Sequence, residues 1–314
     1  MKLSDDQWEL LPSDEDTAFY REHGWYISKK ILPDELIEEA KYGSERHFAG
    51  ERDMPMPVAS GYADWRPEDG DGFRNCEFVA LQNVQLRKLV EHPLIAAVAA
   101  KLVGCPIVRL WDDQLVFKPS DGPQTGSVIG WHTDRAYWKT CTSLNMLTAW
   151  IPFHDCPEDR APLIVVDGSH RWSGVTTLRS FKEQNLEELS AQFKVDGAPF
   201  SPVPMVLEQG QVSFHHCRAV HGSDVNRSDL PRLSLSIHLQ DGDNRYRLYR
   251  NEHGVPWHLV HDDMCRTTAD GLPDYTDPKT FPVLWSEEEF DHEGESGDTT
   301  TARARGAQPS SEQH

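Results

Sequence analysis

Between residues 107 and 239 the chain breaks into short runs rich in β-branched and aromatic residues, at 107–118, 128–134, 146–153, 163–166, 212–214, 219–221 and 233–239. Turn-forming residues separate them, which is the pattern of successive short strands. A run this short cannot cover its own apolar face. The strands must therefore pack as two facing sheets, and the spacing predicts a β-sandwich or jelly roll. No internal repeat is present, so a propeller or solenoid is excluded.

Helices are expected on either side of this β region. Ser13 and Asp16 form a capping box for a helix that stops at Gly24, and residues 25–27 read as a short strand. Pro33 opens a second helix to about His47 with Leu36, Ile37 and Ala40 on one face. Residues 84–103 read as helix interrupted at His92-Pro93 and ended by Gly104. A further helix at 181–192 is inserted between strands.

The stretch 50–75 is irregular, rich in Pro, Gly and Asp, and carries Tyr62, Trp65 and Phe73. A loop that long in a compact domain is functional or disordered, and its aromatics point to a lid. Beyond Phe290 the chain has almost no apolar residues. We therefore expect one domain over 1–290 and a disordered tail over 291–314.

Composition removes several function classes. With 51 acidic against 31 basic residues the net charge is −20, which repels phosphate backbones and excludes nucleic acid as a partner. No run of about 18 apolar residues is present to span a membrane, and the N-terminus lacks the apolar core of a secretory signal. The expected location is cytoplasmic. Six scattered cysteines without a C-x-x-C pair argue for reduced thiols over a zinc knuckle or disulfide framework.

The candidate chemistry begins at Trp131-His132-Thr133-Asp134-Arg135-Ala136-Tyr137-Trp138. On a strand, His132 and Asp134 share one face, an imidazole beside a carboxylate. That pair lacks one ligand for the two-histidine, one-carboxylate arrangement that holds non-haem Fe(II) and leaves positions open for oxygen and a co-substrate. His215, His216 and His221 compete for the third place. His221 is preferred because Gly222, Ser223, Asn226 and Ser228 follow it and Arg232 comes eleven residues later.

His-X-Asp, then a distant His-Gly-Ser with Asn and Ser behind it, then Arg, resembles the phytanoyl-CoA dioxygenase family. The resemblance covers roughly residues 14–240. It extends to Gln114, Lys118 and Trp150, which match positions where family members often touch the co-substrate. At Asp167-Gly168-Ser169-His170 the chain departs from the family's Pro-Gly-Ser-His turn by one residue.

The resemblance implies a mainly β fold with flanking helices, a cupin-like double-stranded β-helix of the jelly-roll type. It implies Fe(II) held by His132, Asp134 and His221, with 2-oxoglutarate and O2 as co-substrates. Arg232 and Ser223 would receive the far carboxylate of 2-oxoglutarate, since Arg offers a planar, always charged fork. His215 and His216 are expected to pack or support and not to bind metal. Trp131, Tyr137, Trp138 and Trp65 are candidate substrate contacts.

The expected reaction is hydroxylation of a small molecule, because related halogenases carry Gly or Ala where this chain has Asp134. The expected assembly is a monomer or homodimer. Two other readings use the same residues. A non-enzymatic jelly-roll sensor would keep the ligands without turnover. A zinc hydrolase would need a general base that no motif supplies, and would leave Arg232 without a purpose. The cluster Arg245, Arg247 and Arg250 is expected to be an exposed face.

Overall fold

The computed structural model describes residues 3–56, 58, 65–70, 72–120, 127–183, 185–192 and 199–287. The tail at 291–314, and Tyr62 of the expected lid, lie outside the described residues.

The strands are β1 (Trp25–Ile27), β2 (Arg74–Glu77), β3 (Ile107–Lys118), β4 (Ile129–His132), β5 (Leu147–Pro152), β6 (Ile164–Val166), β7 (Pro202–Pro204), β8 (Ser213–His216), β9 (His221–Ser223), β10 (Arg232–Asp241) and β11 (Val283–Ser286). They form a larger sheet ordered β1-β8-β5-β10-β3-β11, with β2 also paired to β3, and a smaller sheet ordered β4-β9-β6-β7. This is the double-stranded β-helix. The helices are α1 (Asp5–Trp8), α2 (Asp14–His23), α3 (Asp34–Phe48), α4 (Val84–Val90), α5 (Pro93–Val103), α6 (Leu186–Gln192) and α7 (Val260–Met264).

Local signals set the N-terminal helices. Ser13 Oγ accepts from the Asp16 N–H while the Asp16 carboxylate accepts from the Ser13 N–H, and Gly24 ends α2 at φ +78°. Pro93 opens α5 after α4 has ended at Val90. Leu36, Ile37, Leu86, Leu89, Ile95 and Val98 join Leu115, Ala149, Leu235, Ile237 and Leu239 of the larger sheet in one buried cluster. Each fully buried Leu or Ile contributes roughly 1.5–3 kcal/mol. One face of the larger sheet is thus committed to the helices.

The other face is polar, and register lines it up in rows. In β10, Leu233, Leu235, Ile237 and Leu239 alternate with Arg232, Ser234, Ser236 and His238. His238 pairs with Asp112 of β3 and Thr148 of β5, and Thr148 pairs with His215 of β8. The next row is Gln114, Ser236, Trp150 and Ser213. Two steps further, Arg232 stands directly opposite Lys118.

Three expectations are corrected. The strand expected over 128–134 ends at His132, because Asp134–Ala136 forms a single tight helical turn in which the Tyr137 N–H returns to the Asp134 carbonyl at 2.9 Å. The helix expected over 181–192 starts only at Leu186. Residues before it are held as wall instead, since the Gly130 N–H donates to the Phe181 carbonyl at 3.0 Å. Within the expected irregular stretch 50–75, β2 pairs with β3 from Arg74 onward.

The close approach of β4 and β9 depends on a missing side chain. A Cβ on Gly222 would lie 2.6 Å from the Ile129 carbonyl oxygen. Glycine there lets His221 stand opposite His132 in register.

Candidate active site

His132 closes β4, Asp134 opens the turn that follows, and His221 opens β9. One ligand atom from each lies within 4.8 Å of the others, and all three residues are buried. Asp134 reaches this point from a turn and not by strand alternation.

Backbone carbonyls set both histidine tautomers. His132 Nδ1 is 2.8 Å from the Gly130 carbonyl and His221 Nδ1 is 2.9 Å from the Ala219 carbonyl. A carbonyl only accepts, so each Nδ1 carries the proton and each Nε2 presents a lone pair. Burial, then the neighbouring His221, hold the His132 imidazole down to about 3, so it is neutral. For His221 burial acts downward, but the charge and hydrogen bond of Asp134 outweigh it and raise the imidazole above its ordinary value.

Asp134 is supported from both sheets. Thr148 Oγ1 donates to its Oδ2 at 2.7 Å, His215 Nε2 stands 3.5 Å from the same oxygen, and His221 Nε2 stands 3.4 Å from Oδ1. Burial would raise this carboxyl, but His221, His215 and His238 together hold it well below the usual carboxylate range. It is ionised at neutral pH. Two neutral-capable imidazoles and one carboxylate on a common point are the donor set of a non-haem iron centre.

A second group lies beside β9. Ser223 is two residues beyond His221 on the same strand, and Lys118 Nζ donates to Ser223 Oγ at 2.7 Å, to the Ser223 carbonyl at 3.2 Å and to the Asp224 carbonyl at 2.8 Å. Arg232 is 1% exposed; its Nη1 donates to the Ala161 carbonyl at 3.1 Å and its guanidinium sits 5.6 Å from the centre of the Trp150 ring. Arg232 Nε meets no acceptor. Burial lowers Arg232 to about 10, and burial followed by Arg232 pushes Lys118 well below the lysine range. Neither cation has an ion pair among the described residues.

A cavity of about 670 Å³ opens over the His132–Asp134 pair. Tyr137, Trp138 and Gln114 line it, with Gln114 Nε2 donating to Glu77 Oε1 at 2.9 Å. Trp131 and Trp65 are placed elsewhere. The Trp131 indole donates to the Leu186 carbonyl and packs with Val166, Trp172 and Val220. Trp65 packs edge-on against Phe48 with Arg74 over its ring, against the helix-covered core. Strand alternation explains the first: on β4, Trp131 points away from the face that His132 takes.

Several lining residues have no counterpart in the motif. Thr148 and His238 are legible only through the polar alternation of β10 and its register with β5. Asp112, whose carboxyl burial pushes far above the usual range, lies 3.4 Å from His261 Nε2. His261 stacks on Trp111 at 4.2 Å and, with Trp257 and His258, brings the C-terminal segment to the cavity. Arg179 joins from the loop before α6. By contrast, Arg245, Arg247 and Arg250 are exposed and donate to backbone carbonyls.

Comparison with known proteins agrees with this geometry. Peroxisomal phytanoyl-CoA dioxygenase of Rattus norvegicus is 24% identical over 248 residues, covering 74% of this chain and 69% of the relative. Ectoine dioxygenase of Bordetella parapertussis is 28% identical over 241 residues, covering 72% and 74%. The crystal structure of the epimerase SnoN in complex with Fe3+, alpha ketoglutarate and nogalamycin RO has a TM-score of 0.61 at 26% identity, covering 86% of this chain and 98% of that one. EctD from S. alaskensis, solved with 2-oxoglutarate and 5-hydroxyectoine, shares the fold at a TM-score of 0.60 and 19% identity, covering 79% and 81%. The sequence profile described as Phytanoyl-CoA dioxygenase (PhyH) matches residues 20–234, and with the two-histidine, one-carboxylate cluster in place the chain belongs to that family of iron- and 2-oxoglutarate-dependent oxygenases.

Proposed function

We propose that this protein hydroxylates an unactivated C–H bond of a small-molecule substrate, with His132, Asp134 and His221 holding Fe(II). Arg232, Ser223 and Lys118 would hold the far carboxylate of 2-oxoglutarate. The bound iron, with 2-oxoglutarate and O2, supplies the oxidising chemistry and releases succinate and CO2.

The observation that carries the reading is the pairing of two sites. A buried cluster of two imidazoles and one carboxylate lies two residues along β9 from Ser223, where the buried Arg232 and Lys118 side chains make no ion pair among the described residues. Burying a cation without an anion is unfavourable by several kcal/mol, so an acidic ligand is the natural complement. A zinc hydrolase would have no use for it.

The chain's own residues then have separable tasks. The Gly130 and Ala219 carbonyls take the Nδ1 protons, so Nε2 is the lone-pair nitrogen of each neutral ring. Thr148 orients Asp134, and His215 and His238 beside it help keep the carboxylate charged. Tyr137 and Trp138 cover the open side and exclude water. An intact Asp134 keeps the carboxylate place filled, which favours hydroxylation over halogenation.

An anaerobic titration with Fe(II) and 2-oxoglutarate tests the reading. The weak visible charge-transfer band of a chelated keto acid is expected, followed by succinate release when air and a small-molecule library are added. No band would reject the cofactor assignment. A band without succinate from any member would favour a sensor.

A further inference from the structure

Two cations without a role in metal or co-substrate binding line the cavity, Arg179 and Lys182, and Arg179 is the one held between aromatic rings. It pairs with His132 across an isolated antiparallel bridge, so it stands beside the strand that carries the metal ligand. Its guanidinium lies 4.9 Å from the centre of the Tyr137 ring and 4.7 Å from that of Trp257. The Trp257 indole in turn donates to the Tyr137 carbonyl at 3.1 Å. Two aromatic rings therefore hold the guanidinium at the cavity rim, where it has no ion pair among the described residues.

The local charge has the same sense. Arg135, Lys139, Arg179 and Arg247 make no ion pair among the described residues, in a chain whose net charge is −20. Arg135 donates to the Trp138 and Cys141 carbonyls, Lys139 to the Thr176 carbonyl and Arg247 to the Lys139 carbonyl. Of the four, only Arg179 lines the cavity. Their mutual repulsion, after burial, lowers the Lys139 ammonium, and an incoming anion would relieve it.

We propose that Arg179 is the substrate anchor and that the substrate is a small carboxylic acid whose apolar or aromatic body lies against Tyr137, Trp138 and Trp257. This rests on the oxygenase reading above and adds the substrate class to it. A planar guanidinium matches a planar carboxylate through two parallel hydrogen bonds. Glu77 and Glu183 share the same wall, which opposes a more highly charged group such as a phosphate.

The test uses the full chain loaded with Fe(II) and 2-oxoglutarate without oxygen, and calorimetry with 3-phenylpropionate and decanoate, each beside its methyl ester. The parent should bind an acid at least about tenfold more tightly than its ester. Arg179→Gln should weaken acid binding by about tenfold to a hundredfold and lose the preference, while Arg179→Lys recovers part of it. The charge-transfer band and its dependence on 2-oxoglutarate should be the same in all three proteins. Equal binding of acid and ester by the parent, no binding of either acid, or an unchanged preference in Arg179→Gln would overturn the proposal. So would a loss in Arg179→Gln that falls on 2-oxoglutarate in place of the acid. Absence of the band with the acid preference intact would reject the oxygenase reading alone and leave the anchor standing.

Discussion

Thr148 Oγ1 donates to Asp134 Oδ2 across 2.7 Å, and its single proton is thereby committed to the carboxylate. His238 Nδ1 lies 2.7 Å from the same hydroxyl oxygen, so it must be the donor in that contact. One threonine thus links a histidine of β10 to the carboxylate of the iron site and fixes the tautomer of one and the orientation of the other.

Thr148→Val keeps the shape and removes both contacts. Partners of this kind are worth about tenfold to a hundredfold in metal affinity. Chelator competition should show Fe(II) binding weakened by about tenfold or more, in an iron-free protein that still unfolds cooperatively although the unpaired His238 N–H costs about 1–3 kcal/mol of stability. Unchanged iron affinity would mean that Asp134 needs no help from β5.

His215 lies 3.5 Å from Asp134 without a hydrogen bond to either nitrogen, so its removal should leave stoichiometric iron. His221→Ala should lose it. Asp134→Ala should abolish most turnover yet retain measurable iron when metal is in excess, because two imidazoles remain. If His215→Ala releases iron and His221→Ala does not, the third ligand is misassigned.

Gly222→Ala alters no ligand atom. The added Cβ would meet the Ile129 carbonyl at 2.6 Å, forcing β9 away from β4 and His221 away from His132. Metal analysis after purification should find iron occupancy cut to a small fraction of the parent. Parental occupancy would show that the smaller sheet adjusts at no cost to the site.

His47 gives a pH effect remote from the iron. Burial, then the charge of Arg52, lower its imidazole to about 3, and neither ring nitrogen has a partner. Between about pH 3 and 6.5 the unfolded chain binds a proton there that the folded chain does not, so this contribution to stability is present above 6.5 and lost as pH falls. The slope approaches about 1.4 kcal/mol per pH unit. Denaturant melts of His47→Leu should show a shallower loss between pH 6 and pH 4 (roughly the middle of that window) than the parent. Parallel curves would remove His47 as the cause.

How much of this was legible in the chain depends on range. The capping box at Ser13, the break at His92-Pro93 and the apolar–polar alternation of β10 are local, and the elements form where those signals stand. The grouping of His132 with Asp134 was readable from spacing, although a turn and not a strand delivers the carboxylate. Thr148, His215 and His238 form a row only through the register of three strands far apart in sequence. Trp257 and His261 reach the cavity from a segment with no motif, folded back by Trp111 and Phe281 stacking at 5.1 Å. Trp65 was misleading because its loop borders both the cavity side and the core side of β2, and an isolated aromatic carries no sign of which.

Arg232 gives the most direct test of co-substrate binding, since it is fully buried, opposite Lys118 in register and without an anion among the described residues. Replacing it with Ala should leave Fe(II) binding near normal, which also reports that the fold survives. Loss of one partner of a charge-assisted, desolvated pair costs on the order of 2–5 kcal/mol, so 2-oxoglutarate affinity should fall by roughly 30-fold or more. Arg232→Lys should recover only part, because a point charge beside Lys118 cannot reproduce the fork. A 2-keto acid lacking the distal carboxylate should be strongly disfavoured by the parent and much less so by Arg232→Ala. If parent and variant respond identically to 2-oxoglutarate concentration, the anion site belongs to Lys118 and Ser223 alone, and Arg232 is held in the core by the Ala161 carbonyl and the face of Trp150.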